Sequence, residues 1–167
     1  MSNNPLLQGA RGERHLLLGN EAIVRGALEA GVHMVSCYPG TPSSEVPDTF
    51  HRLGGEGRYR LEYSVNEKVA LEVAAGAALG GAMSLVTMKH VGVNVAADPL
   101  FTSVYTGLPG GMVVLTADDP GCHSSQNEQD NRTYARFAQL PCFEPASAQE
   151  AKDMTREAFR LARELQQ

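Results

Sequence analysis

Four short stretches of this chain concentrate the side chains that can move protons or hold anions. Glu67 opens the run Asn66-Glu67-Lys68-Val69-Ala70-Leu71-Glu72-Val73-Ala74-Ala75-Gly76-Ala77-Ala78-Leu79-Gly80-Gly81. A carboxylate here precedes a segment built almost wholly from small and apolar residues. It is either an ordinary helix-end charge or a positioned proton-handling group. His90, within Met88-Lys89-His90-Val91-Gly92-Val93-Asn94, titrates near neutrality and can donate or shuttle a proton; equally, it can be a histidine hydrogen-bonded at a helix start. The stretch 118–132 is polar throughout and rich in Asp, Ser, His and Asn. A loop of that length in a compact domain is more often functional than idle. Tyr38-Pro39-Gly40-Thr41-Pro42-Ser43-Ser44 leaves an apolar run and enters a helical one. Such a turn either offers free N–H groups to a carboxylate or phosphate, or is a well-capped connection.

Several chemistries lack their signatures. No GxSxG elbow accompanies the Ser, His and Asp residues, which weighs against a hydrolase. Neither HxxxH nor HxH occurs, so the sequence predicts no metal ligands. GxGxxG and GxxxxGK[ST] are absent, removing the main support for dinucleotide and P-loop sites. Cys37, Cys122 and Cys142 form no CxxC pair, which argues against a cluster or structural zinc within these residues, and each reads as a buried reduced thiol. The net charge of -5 carries no basic footprint for nucleic acid. Apolar runs are interrupted well short of a membrane span. The start, Met1-Ser2-Asn3-Asn4-Pro5, lacks the order of a signal peptide, so a cytoplasmic location is expected.

The elements that must position these stretches alternate. Residues 1–14 read as a flexible arm and 15–167 as a single α/β domain. Helical spacing covers 20–30, 41–53 (with Thr41 as N-cap and Pro42 in the first turn), 67–80, 90–105 (disturbed by Pro99), 133–139 and 147–165. The last begins with Ser147 as N-cap and Glu150 at capping-box spacing. Strands are expected at 32–38, 61–64, 84–88, 111–117 and 142–144. Strands separated by helices predict a three-layer, doubly wound, mostly parallel sheet with helices on both faces. In such folds ligands collect beyond the carboxyl ends of the strands. The loops at those ends are Tyr38–Ser44, Ser64–Glu67, Met88–Asn94 and Ala117–Asn131, which hold the stretches above or lead into them.

Taken in order, five motifs resemble the pyrimidine-binding domain of thiamine-diphosphate enzymes, and more narrowly the 2-oxoacid:ferredoxin oxidoreductases of indolepyruvate type. They are Gly19-Asn20-Glu21-Ala22, Tyr38 to Glu45, Asn66 to Glu72, Thr87 to Asn94 and His123 to Arg132. The resemblance implies that Glu67 is catalytic. It would reach the N1′ nitrogen of the aminopyrimidine and share a proton there, so that the 4′-nitrogen can deprotonate C2 of the thiazolium and create a carbon nucleophile. That needs a carboxyl group held in an apolar wall. Glu72, about 140° further round the helix, faces elsewhere. The resemblance further places Tyr38, Pro39, Thr41 and Asn94 at the cofactor, and Thr41, His90, His123, Ser124, Ser125 and Gln126 around the substrate. Aspartate follows Thr116-Ala117 where the pyruvate-using branch has arginine, which argues against a simple pyruvate pocket.

No Gly-Asp-Gly motif for a Mg²⁺-bound diphosphate occurs. The resemblance therefore implies one wall of an active site. Only the aminopyrimidine end of thiamine diphosphate would bind here; Mg²⁺ and iron–sulfur clusters would lie on other domains or on a partner subunit. A homodimer or hetero-oligomer acting on an aryl 2-oxoacid is expected, and this chain should be inert by itself. Two alternatives share the fold: the small subunit of a split, sulfopyruvate-type decarboxylase, and a non-catalytic interaction domain.

Overall fold

Helices and strands alternate from α1 to β4, as the spacing of apolar residues predicts. The computed structural model describes residues 4, 6–7, 12–54 and 58–167. Its elements are α1 (Gly19–Ala30), β1 (Met34–Cys37), α2 (Glu45–Leu53), β2 (Arg60–Tyr63), α3 (Glu67–Leu79), β3 (Ser84–Lys89), α4 (His90–Thr106), β4 (Met112–Ala117), α5 (Arg132–Ala138) and α6 (Ala148–Leu165). The arm expected over 1–14 lies largely outside the described residues.

The four strands form one wholly parallel sheet in the order β2-β1-β3-β4. Side chains alternate across it, giving two cores. Val35 and Leu85 face α1, α2 and α6 with Val24, Val46, Phe50 and Phe159. Val86 and Met88 face α3 and α4 with Leu71, Ala74, Val93 and Leu100. β1 and β3 are buried on both faces, which is why they read as continuous apolar runs. Small residues let α3 lie close to its neighbours: Ala70, Ala74 and Ala78 are fully buried, and the Ser36 hydroxyl donates to the Ala70 carbonyl at 2.6 Å. Ser147 caps α6 by accepting from the Glu150 N–H at 3.2 Å, while the Glu150 carboxylate accepts from the Ala146 N–H at 2.8 Å.

Some local expectations fail for identifiable reasons. Thr41 is not the N-cap of α2. Residues 41–44 form a turn containing a cis Thr41–Pro42 peptide, and Ser44 precedes the helix without a side-chain cap bond. Pro99 sits inside α4 without ending it. The carbonyl that loses its donor is that of Val95, which is half exposed, so water can take the place of the missing N–H. Residues 142–144 are not a strand. Pro141 and Pro145 bracket them, and proline cannot donate to a ladder. Cys142 is exposed and Cys122 half-buried, so only Cys37 is the buried thiol expected of all three.

β4 is one edge of the sheet and only partly covered. An apolar groove of about 470 Å³ runs along it, lined by Val114, Leu140, Phe143, Ala158 and Leu161 among others. The Met112 N–H already donates to the Gln167 carbonyl at 2.8 Å, placing the last residue against that edge.

α1 and α6 cross closely at Gly26, where an added Cβ would lie 2.4 Å from the Lys152 carbonyl oxygen. Gly76, on the exposed side of α3, has open space beside it. Gly26→Ala should therefore cost about 1–3 kcal/mol by denaturant unfolding, whereas Gly76→Ala should be neutral or stabilising by up to about 1 kcal/mol. Equal losses at both positions would contradict the close crossing.

Candidate active site

In the order β2-β1-β3-β4, the chain leaves β1 towards one edge and β3 towards the other. A crevice therefore opens beyond the carboxyl ends of β1 and β3. Its two walls meet where Gly40, after β1, lies against Lys89, the last residue of β3. A Cβ on Gly40 would sit 2.9 Å from that of Lys89. The 38–44 turn is tied to itself and to α1. Ser43 donates through N–H and hydroxyl to the Gly40 carbonyl at 2.8 and 2.7 Å. The Asn20 amide donates to the Pro42 carbonyl at 3.1 Å and the Glu45 carboxylate at 2.9 Å.

Glu67 is the first residue of α3. The Asn66 side chain caps that helix by accepting from the Val69 N–H at 2.9 Å. A carboxylate in the first turn suits the positive end of the helix dipole. The side chain runs onto the first turn of α4. A Cβ at Gly92 would lie 2.5 Å from Glu67 Cγ, 2.7 Å from Oε1 and 2.9 Å from Cδ. Only glycine leaves room for the carboxyl group there. Glu67 is half-buried, and among the described residues its carboxylate has no hydrogen-bond or ion-pair partner. The adjacent Lys68 is turned to Asp98 at 3.3 Å and to Glu72 at 3.9 Å. Glu72 is exposed on that other side, as its spacing predicts.

The first turn of α4 is itself clamped by the loop 118–131. Asn131, buried, donates to the His90 carbonyl at 3.0 Å and to the Thr116 hydroxyl at 2.6 Å. Gln129 donates to the same carbonyl at 3.1 Å and to the Asn131 and Asn94 side-chain oxygens at 2.6 and 3.0 Å. The Asn94 amide returns a bond to Gln129 at 2.9 Å, and the Tyr134 hydroxyl donates to Asn94 Oδ1. His90 is fully buried. Its Nε2 lies 3.1 Å from the Asn127 carbonyl and 3.2 Å from Asn127 Oδ1, both acceptors, so the ring proton belongs on Nε2. Nδ1 is buried and unpartnered among the described residues. This is the placement of a histidine hydrogen-bonded at a helix start.

Further along the loop, Asp119 accepts from the Ser125 hydroxyl at 2.5 Å and from the Ser124 N–H and hydroxyl at 2.8 and 3.3 Å. Those bonds hold its carboxyl down at about 2. Lys89 reaches across the crevice and donates to the Ser124 carbonyl at 2.7 Å. At the end of β1 burial, reinforced by Asp48, pushes the Cys37 thiol up to about 12, so it stays neutral.

The structure thus brings Glu67, the 38–44 turn, the start of α4 and the loop 118–131 to one end of the sheet. Tyr38, Pro39 and Thr41 are exposed there. Asn94 lies one turn along α4 with its amide engaged. Ser124 and Ser125 direct their hydroxyls to Asp119. His123 packs over Gly121, and Gln126 is exposed. Lys89, Gly92, Gln129 and Asn131 have positioning contacts that the sequence did not assign. All four stand inside the stretches already singled out, but their partners are distant in sequence and could not be paired from spacing alone. Among the described residues no group of three His, Cys, Asp or Glu is placed to hold a metal ion, and no helix is long and apolar enough to cross a membrane.

Residues 25–167 match the family model described as pyruvate flavodoxin/ferredoxin oxidoreductase, thiamine diphosphate-binding. The chain belongs to this family. Among its relatives is the indolepyruvate oxidoreductase subunit IorA of Archaeoglobus fulgidus, 57% identical over 163 residues, which are 95% of this chain and 26% of that protein. The IorA subunit of Thermococcus kodakarensis is 55% identical over 151 residues, 90% of this chain and 23% of the relative. More distant is the 2-oxoglutarate synthase subunit KorA of Methanothermobacter marburgensis, 28% identical over 159 residues, 91% of this chain and 42% of that one. This chain spans about a quarter of the length of the IorA relatives. The family fold is repeated in 2-oxoglutarate:ferredoxin oxidoreductase from Magnetococcus marinus, with a TM-score of 0.71 at 20% identity, over 87% of this chain and 27% of that one.

Two measurements check this geometry. The lowered Asp119 pKa means that its loop anchoring is complete above the ordinary carboxylate value of about 3.9 and is lost as pH falls through about 2. The Asp119 carboxyl ¹³C resonance should accordingly titrate near 2; a midpoint near 4 would contradict the three bonds. Gly92→Ala should shift the Glu67 carboxyl resonance while the far end of α3 keeps its shifts. An unmoved Glu67 signal would show that the contact is loose.

Proposed function

We propose that this chain is the pyrimidine-binding domain of a thiamine-diphosphate-dependent 2-oxoacid oxidoreductase of indolepyruvate type, with ferredoxin as electron acceptor, and that Glu67 activates the cofactor. The observation carrying this reading is the Glu67 carboxyl: half-buried, unpartnered among the described residues, and laid against a glycine at the ligand end of a doubly wound sheet. Its surroundings fit an aminopyrimidine. The carboxyl offers one acceptor or one shared proton, Gly92 lets it lie against the first turn of α4, and Tyr38, Pro39 and Thr41 are exposed at the same end of the sheet. Asn94 would bound the ring from α4, held in place by Gln129 and Tyr134.

When bound, thiamine diphosphate supplies a carbon nucleophile for attack on the keto carbon of a 2-oxoacid. Glu67 would hold the proton shared with the ring nitrogen N1′. A carboxyl withdrawn from water shares a proton better than a hydrated one. Gly92 lets that carboxyl approach, and the Asn131–Gln129 clamp keeps Gly92 in place. Thr41, His123, Ser124, Ser125 and Gln126 would border the substrate, with His90 beneath them.

The diphosphate, its Mg²⁺ and the iron–sulfur clusters would be held by domains or subunits outside these residues. The IorA relatives are about four times as long, which supports a site completed by further domains. An aryl 2-oxoacid is the proposed substrate, a homodimer or hetero-oligomer the proposed assembly, and the cytoplasm the proposed location. The IorA identities favour the electron-transferring enzyme over a split decarboxylase.

The test combines this chain with its diphosphate-binding partner, thiamine diphosphate and Mg²⁺, and follows exchange of the cofactor's C2 proton. Glu67→Gln preserves shape and should slow exchange by about 10²–10⁴-fold. An unchanged rate would remove Glu67 from the role.

A further inference from the structure

We infer that Lys89 is the cation that binds the carboxylate of the 2-oxoacid substrate; this rests on the proposed function above. A 2-oxoacid carries a full negative charge, and a crevice that withdraws it from water must supply a matching donor. Among the described residues the cations near this end of the sheet are few. Lys68 is committed to Asp98 and Glu72 on the outer side of α3. Arg132 is held by Asp130 at 2.8 Å and Glu144 at 3.0 Å. Lys89 alone of these has no carboxylate within ion-pair distance.

Its placement is specific. It closes β3, a central strand, at the point where the strand order reverses. Gly40 packs against its Cβ, so the stem of the side chain is fixed between the two walls of the crevice. Its ammonium spends one N–H on the Ser124 carbonyl, which belongs to the loop proposed to border the substrate. Two N–H donors remain. Lys89 also precedes α4 as its N-cap, three residues before Gly92, against which the Glu67 carboxyl lies. Asp119, the nearest carboxylate by connection, reaches Lys89 only through Ser124, and its acceptor Oδ2 is occupied by Ser124 and Ser125. The ammonium is therefore oriented by the loop without being neutralised by it.

The assembled enzyme with its diphosphate-binding partner tests this. Three quantities are measured in wild type, Lys89→Met and Lys89→Arg: KM for phenylpyruvate, the inhibition constant of its uncharged methyl ester, and substrate-free exchange of the cofactor's C2 proton. Lys89→Met should raise KM about 10–100-fold, the range of one hydrogen bond to a charged group. Lys89→Arg should recover part of the loss. The ester constant should move less than about threefold, and C2 exchange should not change. An unchanged KM in Lys89→Met, or an ester constant that weakens in parallel with KM, would overturn the inference, because the lysine would then only pin the loop. Absence of C2 exchange in wild type would instead overturn the function proposed for Glu67, and this inference with it.

Discussion

The approach of Glu67 to Gly92 is the constraint on which the rest of the site depends. It joins two helices that rise from non-adjacent strands, β2 and β3. It also requires a residue without a side chain at the start of one of them. A Cβ at 92 would overlap three atoms of the glutamate, so the two positions must be satisfied together. Small residues along α3 make the approach possible: Ala70, Ala74 and Ala78 let the helix settle against the sheet and α4, carrying Glu67 to the mouth of the crevice at its first turn.

The loop 118–131 acts as a polar brace for this contact. Asn131 and Gln129 both spend amide protons on the His90 carbonyl, and Asn94 and Tyr134 extend the network along α4. The Asn94, Gln129 and Asn131 amides are all engaged within it, while His90 Nδ1 and Asp118 Oδ1 are buried without a partner among the described residues; polar networks of this kind bear on the uniqueness of an arrangement as well as on its stability. The braced turn carries Gly92 on one side and Lys89 on the other. One rigid piece of backbone thus sets both the carboxyl proposed to activate a cofactor and the ammonium proposed to receive a substrate.

Much of this was legible in the sequence, and the failures follow from physics that spacing cannot carry. The βα alternation, the small-residue helix from Glu67 and the loops at the strand ends are properties of local pattern. They appear in the structure where the pattern puts them. The wholly parallel sheet follows because β1 and β3 read as continuous apolar runs that must be covered on both faces. Thr41 misled as an N-cap because the turn 41–44 is set by Ser43 bonding back to Gly40 and by Asn20 from α1, a contact 22 residues away. Residues 142–144 have strand-like chemistry, but the flanking prolines cannot donate to a ladder and they stay out of the sheet. His90 was equally shuttle or helix-start histidine by type; its burial, with Nε2 on Asn127, puts it at the helix start. Lys89 and Gly92 were visible as letters but not as partners, since their contacts cross from one loop to another.

The central claim is that the Glu67 carboxyl engages the N1′ nitrogen of thiamine diphosphate. Its most direct test is the ¹⁵N resonance of N1′-labelled cofactor bound to the assembled enzyme. In wild type that resonance should move away from its free-cofactor position towards that of a protonated ring nitrogen. In Glu67→Ala it should stay near the free position while the cofactor remains bound. The same displaced resonance in both proteins would contradict the account.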